Sequence, residues 1–358
     1  MTARFKNLDW ILIGALAVFA GAGLVTLASS NIAFFWRQLV WYGIAFGVIF
    51  VGRQLDWRLL ASKQWFRSGI YFSSIALLVV AYLQPHTIRG TKSWILIGGF
   101  QFEPEELVKL ALIIVLAYFF SRRHIVAWQT RNLVLSFIYM FIPTALIVIQ
   151  PNFGSAVLVA SIWVGFVLMS GIHGKRFLAG LLILAVLCAG LWIFIFKDYQ
   201  KERITTFLFP ERDPLGASYN VIQSKIAIGS AGLWGKGFGQ GTQARLGFLP
   251  AAQNDFLFAA FVEEWGMFGG FVLLGAMLLI IYRLMQIGRH ARDNFSRFLA
   301  LGGGVFFLVH FFINIGSNIG LLPVTGITLP FFSYGGSNLL TTGILASIME
   351  HIKIESSA

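Results

Sequence analysis

Apolar runs long enough to cross a membrane follow one another along most of this 358-residue chain. A transmembrane helix needs about 20 predominantly apolar residues. The runs therefore predict an all-α polytopic membrane protein with about ten transmembrane helices. The ten candidate spans lie near residues 8–28, 33–52, 67–83, 104–120, 133–149, 153–171, 176–196, 257–282, 297–320 and 331–351.

Composition supports a single integral membrane domain over residues 1–358. Hydrophobic residues make up 57% of the chain and charged residues only 12%. A soluble domain of this length cannot bury so much apolar surface, whereas a membrane protein need not. The first span is not predicted to be a cleavable signal peptide, because it is long and residues 29–31 lead straight into the next span.

The Lys and Arg residues predict the orientation. With a cytoplasmic N-terminus, 16 of the 27 basic residues fall in cytoplasmic segments and only Arg89 and Lys92 fall in short outer loops. Long translocated loops are largely exempt from the positive-inside rule, so this comparison decides the orientation. Both termini are expected to be cytoplasmic. The net charge of +12 is then a topology signal and not a sign of nucleic-acid binding, since the charges are spread over several segments.

The acidic residues have the opposite distribution, which predicts chemistry on the outer side. Ten of the 15 acids lie outside or at the outer ends of spans: Glu103, Glu105, Glu106, Asp198, Glu202, Glu211, Asp213, Asp255, Glu263 and Glu264. Charged groups inside a membrane are costly and usually functional. The single cysteine, Cys188, lies in an apolar run, so no intrachain disulfide is possible and thiol chemistry is not expected.

The first outer segment to break the helical pattern is RGTKSWILIGGFQFEPEELVKL, residues 89–110. Lys109 stands four residues after Glu105 and three after Glu106, so one helix face carries ammonium and carboxylate together. The lysine is either part of a self-neutralising pair or a cationic group that lines a polar cavity. We favour the cavity, because an intramembrane charge usually marks a site.

The second is a large extracytoplasmic loop, residues 197–256, that is predicted to contain an interfacial helix. Tyr219, Ile222 and Ile226 recur at helical spacing. The sequence GLWGKGFGQG, residues 232–241, has five glycines and either cradles phosphate with its N–H groups or forms a flexible re-entrant turn. The loop is basic, as an anionic ligand in the outer leaflet would require, although a merely solvated loop explains this equally well.

The third is INIGSNIGLLPVTGITLPFFSYGGSN, residues 313–338, where asparagines, prolines and glycines interrupt an apolar sequence. Irregular backbone at membrane depth is tolerated only where it is buried in protein or lines a wet cavity. Residues 150–152, QPN, form a similar break. These breaks together predict a cavity in the outer half of the bundle.

The motifs of these segments resemble a known family over nearly the whole chain. They are GTKSWI (90–95), PEELVKL (104–110), QPNFGSA (150–156), DPLGASYNVIQSKIAIGSAGLWGKGFGQGTQ (213–243), FLPAAQNDFLFAAFVEEWG (248–266) and GLLPVTGITLPFFSYGGSN (320–338). The sequence is identified as a member of the SEDS (shape, elongation, division, sporulation) family. It is more similar to the elongation branch, RodA, than to the division branch, FtsW.

The resemblance implies a peptidoglycan glycosyltransferase that polymerises lipid II on the outer face of the bacterial cytoplasmic membrane. The family's essential aspartate matches Asp255, its outer tryptophan matches Trp94, and its Pro-Ser-Glu-x-x-x-Lys pattern falls on residues 104–109. Two positions depart from the family, because Glu105 replaces the usual serine and Asn152 stands where an aspartate is common. The resemblance also implies a class B penicillin-binding protein, the transpeptidase, as a partner beside other membrane proteins of the elongation complex.

The residues suggest roles for that chemistry. Glycosyl transfer with loss of pyrophosphate needs a base for the acceptor hydroxyl and positive charge for the leaving group. Asp255 is the candidate base, since desolvation at an apolar boundary makes a carboxylate more basic. Its alternative role is to cap the helix that starts near Phe256.

The candidate substrate-binding residues are Trp94, Glu106, Lys109, Arg203, Lys225 and Arg245. No ligand spacing predicts a dedicated metal site, so a divalent cation (Mg²⁺ or Mn²⁺) would be held mainly by substrate pyrophosphate and Asp255. Glu263 and Glu264 are predicted to balance a buried cation and orient their helix.

Two other classes use similar spans. A lipid II flippase would need a polar pathway to the inner side, yet Arg37 is almost the only polar residue that we assign to the cytoplasmic half of a span. An ion-coupled transporter is disfavoured by the long outer loop and by the absence of an inverted repeat.

Overall fold

The computed structural model describes residues 8–85, 91–97, 100–123, 129–172 and 218–357, with 87, 174, 178, 207, 209 and 216 as isolated positions. These residues form twelve helices and one β-hairpin. The helices are α1 Trp10–Ser30, α2 Ile32–Gly52, α3 Trp57–Ser62, α4 Gln64–Leu83, α5 Pro104–Arg123, α6 Thr130–Ile149, α7 Phe153–Met169, α8 Tyr219–Gly229, α9 Thr242–Arg245, α10 Leu257–His290, α11 Asn294–Asn318 and α12 Gly336–Ser357. The hairpin pairs β1 (Ile95–Ile97) antiparallel with β2 (Phe100–Phe102), with Ile95 opposite Phe102.

The apolar runs form helices, as the sequence predicts. Among the described residues, α1, α2, α4, α6, α10 and α11 are long and apolar enough to cross a membrane. Helices α5, α7 and α12 also lie over predicted spans. The predicted span 176–196 lies outside the described residues. The last span begins at Gly336 and not near 331, because residues 323–335 stay non-helical.

Helix α5 lies at the centre of the bundle, in contact with α4, α7 and α11. Almost its whole length is buried, including Glu105, Glu106 and Lys109 near its start. Three charged side chains on one span cannot face lipid without a large penalty, which accounts for the central position of this helix. Phe120, Phe166 and other aromatic side chains fill the core around it.

Helices α2, α4 and α6 lie at the periphery and expose large apolar side chains such as Trp36 and Phe72 to the membrane. Arg37, in the second turn of α2, lines a cavity together with Lys109 at the end of the bundle where α5 begins. Our placement of Arg37 in the cytoplasmic half was therefore wrong. Helix α2 enters at the end where Asp255 lies, so its first turns belong to the same half of the bundle as Asp255.

Helix α10 is interrupted at Gly266, and the glycine-rich loop forms backbone hydrogen bonds with the helix across this interruption. Gly266 has φ +72° and ψ −177°, a backbone conformation open mainly to glycine. The loop pairs with the helix on both sides of this residue. The N–H groups of Lys236 and Gly237 donate to the carbonyls of Glu263 and Glu264 at 3.0 Å, and the N–H of Met267 donates to the carbonyl of Gly232 at 3.0 Å. The loop N–H groups at 236 and 237 thus bind helix carbonyls, which favours the structural interpretation of this sequence over phosphate binding.

Gly235 is expected to be essential for this contact. It has φ +79°, and a Cβ there would overlap the carbonyl of Glu264. We expect Gly235→Ala to lower the free energy of unfolding by about 3 kcal/mol, from backbone strain and overlap together. Gly239→Ala is the matched control, because Gly239 has φ +70° but open space around its Cβ position. Thermal unfolding in detergent measures both, and equal losses would show that strain alone matters.

Helix α8 turns a different face to the protein than its pattern suggests. Its buried residues are Ser224 and Ala227, and the Ser224 hydroxyl donates to the carbonyl of Asn318 at 2.8 Å. Ile226 is exposed. Small residues allow α8 to lie close to α10 and α11, while Ile226 stays on the outside.

Candidate active site

Two adjoining cavities open at the end of the bundle where the non-helical segments meet. The first has a volume of about 430 Å³ and is lined by Asp255, so we call it the Asp255 cavity. The second has a volume of about 700 Å³ and is lined by Lys109, so we call it the Lys109 cavity. Trp94, Glu103 and Gly326 line both. The broken segments therefore produce a polar chamber, as the sequence predicts.

Asp255 lies in the turn of residues 251–256 that precedes α10, and its side chain is partly exposed at the cavity wall. Its Oδ2 atom lies 3.9 Å from the position that a Cβ would take on Gly326. Helix α10 begins at Leu257, so the N-cap position falls on Phe256 and not on Asp255. The alternative role of Asp255 as a helix cap is therefore wrong. Its carboxylate is placed for the cavity and not for the helix.

Two asparagines of α11 hold the backbone of Asp255, and we did not identify them as site residues from the sequence. The Nδ2 atoms of Asn314 and Asn318 donate to the Asp255 carbonyl at 3.1 and 2.9 Å. Asn318 also accepts from the N–H of Ala259 at 3.3 Å. Both amides are buried. The sequence shows them at i and i+4 in a helix, the spacing of a shared face, which is the signal that could have identified them.

Lys225 and Trp94 join Asp255 on the same cavity. Lys225, from α8, is the one cationic side chain among the described residues that line it. It crosses close over Gly320, where a Cβ would overlap its Cε atom. Gly320 has φ +74°, so glycine both permits the backbone turn and leaves room for the lysine. An ammonium and a carboxylate are thus present on the walls of one chamber.

Lys109 and Glu106 form a buried ion pair on the wall of the second cavity. The Lys109 Nζ atom lies 2.6 Å from Glu106 Oε1, and both side chains are at most 4% exposed. The Nδ2 atom of Asn338 donates to the same oxygen at 3.3 Å. The pair is both self-neutralising and cavity-lining, so the geometry alone satisfies both interpretations of this lysine.

The two positions that depart from the family pattern contact each other. The Nδ2 atom of Asn152 donates to Glu105 Oε1 at 2.6 Å, and Glu105 is fully buried. Asn152 also caps α7, since its Oδ1 accepts from the N–H of Ser155 at 3.4 Å. A carboxylate is therefore present at this contact after all, but it is carried by residue 105 and not by residue 152.

This contact predicts a suppressor pair. Asn152→Asp keeps the helix cap but brings two carboxylates together in a buried place, and we expect a loss of about 3 kcal/mol in unfolding free energy. Glu105→Gln in the same chain exchanges acid and amide and should recover most of the loss. Thermal unfolding of the two single variants and the double variant completes the cycle. Additive losses would contradict the proposed contact.

Glu103 lies between the hairpin and α5 and lines both cavities. Burial, and after it the neighbouring Glu105 carboxylate, raises the pKa of Glu103 well above its ordinary value. The side chain therefore keeps its proton to higher pH than an ordinary glutamate.

The remaining candidates are not brought to the cavities. Arg245 is exposed, donates to the carbonyl of Gly239 at 3.0 Å, and lines neither cavity. Arg203 lies outside the described residues. Glu263 is fully buried and pairs with the Lys236 Nζ atom at 2.7 Å, but Lys236 itself is 27% exposed and is not a buried cation. Glu264 follows it on the same buried stretch of α10.

The helical bundle has apolar sides that face lipid and a polar chamber that carries carboxylates. These features define an integral membrane protein with a polar site. Residues 4–358 match the FtsW/RodA/SpoVE family of cell cycle proteins. The chain belongs to this family.

Characterised relatives and solved structures are similar over nearly the full length. The chain is 34% identical over 352 residues to the peptidoglycan glycosyltransferase MrdB of Escherichia coli K12, covering 97% of this chain and 94% of that protein. It is 33% identical over 356 residues to the probable peptidoglycan glycosyltransferase FtsW of Tolumonas auensis, covering 94% and 89%.

Two solved structures share the fold. One is a chain of a peptidoglycan synthase complex that coordinates polymerization and crosslinking, with a TM-score of 0.83 and 31% identity over 98% of both chains. The other is the rod shape determining protein RodA of Thermus thermophilus, with a TM-score of 0.73 and 26% identity over 98% of both chains.

Proposed function

We propose that this protein is a peptidoglycan glycosyltransferase that polymerises lipid II into glycan strands during cell elongation. Family membership and the activities named for its relatives support the reaction class. One observation carries the assignment to this site: Asp255 and Lys225 line the same cavity, which adjoins a second cavity lined by Lys109. A base and the candidate cations Lys225 and Lys109 in one chamber match the two demands of the reaction, and Arg37 also lines the second cavity.

In the proposed reaction a sugar hydroxyl attacks the anomeric carbon of a second sugar. The bond between that carbon and undecaprenyl pyrophosphate breaks, and the Asp255 carboxylate takes the proton of the hydroxyl. Lys225 stabilises the charge that develops on the departing pyrophosphate, as Lys109 does from the second cavity. Trp94, on the wall between the cavities, is suited to pack against a sugar ring. Glu106 pairs with Lys109 and holds it at the cavity wall. Arg203 and Arg245 remain further candidates for the pyrophosphate.

A divalent cation fits this site as a companion of the substrate. Asp255 lines the cavity and offers a carboxylate oxygen, the ligand type that Mg²⁺ and Mn²⁺ prefer, and the substrate's pyrophosphate would supply most of the other oxygens. Such an ion would neutralise charge on the pyrophosphate and so help it leave.

The topology that supports this function has ten spans, cytoplasmic termini and an extracytoplasmic loop over residues 197–256. The protein would lie in the bacterial cytoplasmic membrane with its chamber on the outer face. Expected partners are lipid II, the nascent strand, a class B penicillin-binding protein and other elongation-complex proteins. The similarity to a chain of a peptidoglycan synthase complex supports the transpeptidase partner.

Purified protein with lipid II provides the test. We expect glycan strands to form in detergent, where no membrane separates two sides, and a chelator to lower the rate if a cation takes part. A lipid II flippase, the alternative function, would form no polymer under these conditions. Absence of polymer from well-folded protein, with and without the transpeptidase, would overturn the proposal.

A further inference from the structure

The glycine-rich loop and the residues that follow it carry an exposed apolar surface. In residues 230–248 the large apolar side chains that stay exposed are Leu233, Trp234, Phe238, Leu246 and Phe248. Leu233 and Trp234 are 70% and 78% exposed. An apolar surface of this size on a protein marks a contact with another protein or with lipid.

A rigid scaffold presents these side chains. The buried Glu263 carboxylate accepts hydrogen bonds from the N–H groups of Thr242 and Gln243 at 2.9 and 3.1 Å, and from Lys236 Nζ at 2.7 Å. Together with the backbone pairing across Gly266, these bonds fix the loop against α10. The apolar surface is therefore a preformed feature of the fold.

The length of α10 places this loop at the outer boundary of the hydrocarbon. The helix has 34 residues and is interrupted at Gly266. From there to Arg283 it rises about 26 Å at 1.5 Å per residue, close to the hydrocarbon thickness of about 30 Å. Its inner end is marked by Arg283, which pairs with Asp9. Glu263 lies about 20 residues before Arg283, which is the length of one transmembrane helix. The loop pairs with residues 263–268, so it lies where the acyl chains meet the headgroups.

The loop surface is continuous with lipid-facing surface of α10. The Trp234 ring lies 5.5 Å from the Phe268 ring, and Phe268 and Phe271 are themselves exposed. Residues 230–248 contain no acid, and their two charged residues are Lys236 and Arg245. Tryptophan with flanking basic residues is the composition of a membrane interface.

We propose that residues 230–248 form an outer-leaflet anchor, which inserts Leu233, Trp234 and Phe238 among the acyl chains of the outer leaflet. Its orientation rests on the proposed function and topology. The anchor leads directly into the turn that carries Asp255, so the depth of the anchor sets the height of the Asp255 cavity relative to the pyrophosphate of a lipid-linked substrate.

Spin labels test the depth of the anchor without reference to activity. In a Cys188→Ser background of the full chain in phospholipid nanodiscs, single cysteines replace Trp234, Phe238, Gln240 or Leu278. Leu278 is an exposed residue in the middle of α10 and gives the lipid reference, and Gln240 is the polar reference on the loop. Labels at 234 and 238 are expected to collide with oxygen more than with a water-soluble nickel chelate, between the values for the two references.

Polymerisation supplies the second arm. Trp234→Ser/Phe238→Ser should lower the rate about fivefold in nanodiscs and leave it unchanged in detergent, where no leaflet sets the height. Labels at 234 and 238 that collide freely with the nickel chelate would overturn the anchor. Labels that become shielded from both reagents only when the transpeptidase is bound would also overturn it, since the surface would then contact the partner and not the lipid. Equal losses in detergent and nanodiscs would also overturn it. If the wild-type protein made no polymer, the proposed function would fail while the label depths still decided the anchor.

Discussion

Asp255→Ala and Asp255→Asn are both expected to lose at least about 100-fold in the rate of lipid II polymerisation, the typical contribution of a general base. Neither side chain can accept a proton from the acceptor hydroxyl. The bonds from Asn314 and Asn318 go to the backbone carbonyl of residue 255, which both variants keep. We therefore expect folding to persist, so that turnover falls while the melting temperature in detergent stays close to that of the wild type.

Asp56→Asn is the control for Asp255. Asp56 is a carboxylate at the opposite end of the bundle that caps α3, and asparagine caps helices as well as aspartate does. This variant should polymerise normally. If Asp255→Asn polymerised at a rate near the wild type, the base would have to be another group. If only Asp255→Ala were inactive, a positioning role for residue 255 would replace the catalytic one.

The apolar runs predicted the helices because hydropathy acts along the chain and needs no knowledge of neighbours. The same holds for the breaks at 150–152 and 313–338, where proline, glycine and asparagine stand inside apolar sequence. These breaks predicted the chamber, and the structure places Asp255, Trp94 and Lys225 on one wall of it. That much of the candidate site was accessible from the sequence.

Where the sequence left alternatives open, a partner distant in sequence decided the outcome. The glycines at 232–241 are compatible with phosphate binding, but the break at Gly266 provides helix carbonyls that accept hydrogen bonds from N–H groups of this loop. Asp255 is of a residue type that often caps helices, but a hydrogen bond from α11 to its backbone carbonyl fixes the turn that holds it. The contact between Glu105 and Asn152 joins residues 47 positions apart, so neither local sequence predicts the other.

Lys109→Met is expected to destabilise the protein by about 3–5 kcal/mol, because it leaves the Glu106 carboxylate buried without its cation. The ion pair at 2.6 Å is at most 4% exposed, so water cannot replace the ammonium group. Thermal unfolding in detergent measures the loss. Glu106→Gln alone should also destabilise the fold, since it leaves the ammonium without its counter-charge.

The double variant Lys109→Met/Glu106→Gln separates the two roles of this lysine. It removes both charges, and the amide oxygen that it introduces at position 106 can still accept from Asn338, which donates to Glu106 Oε1 at 3.3 Å in the wild type. Stability should therefore recover, since replacing a whole buried pair by neutral groups is often nearly neutral. We expect polymerisation not to recover, because the pyrophosphate still lacks the Lys109 ammonium group. A double variant that is both stable and active would assign Lys109 to folding alone and leave Lys225 as the cation for the leaving group.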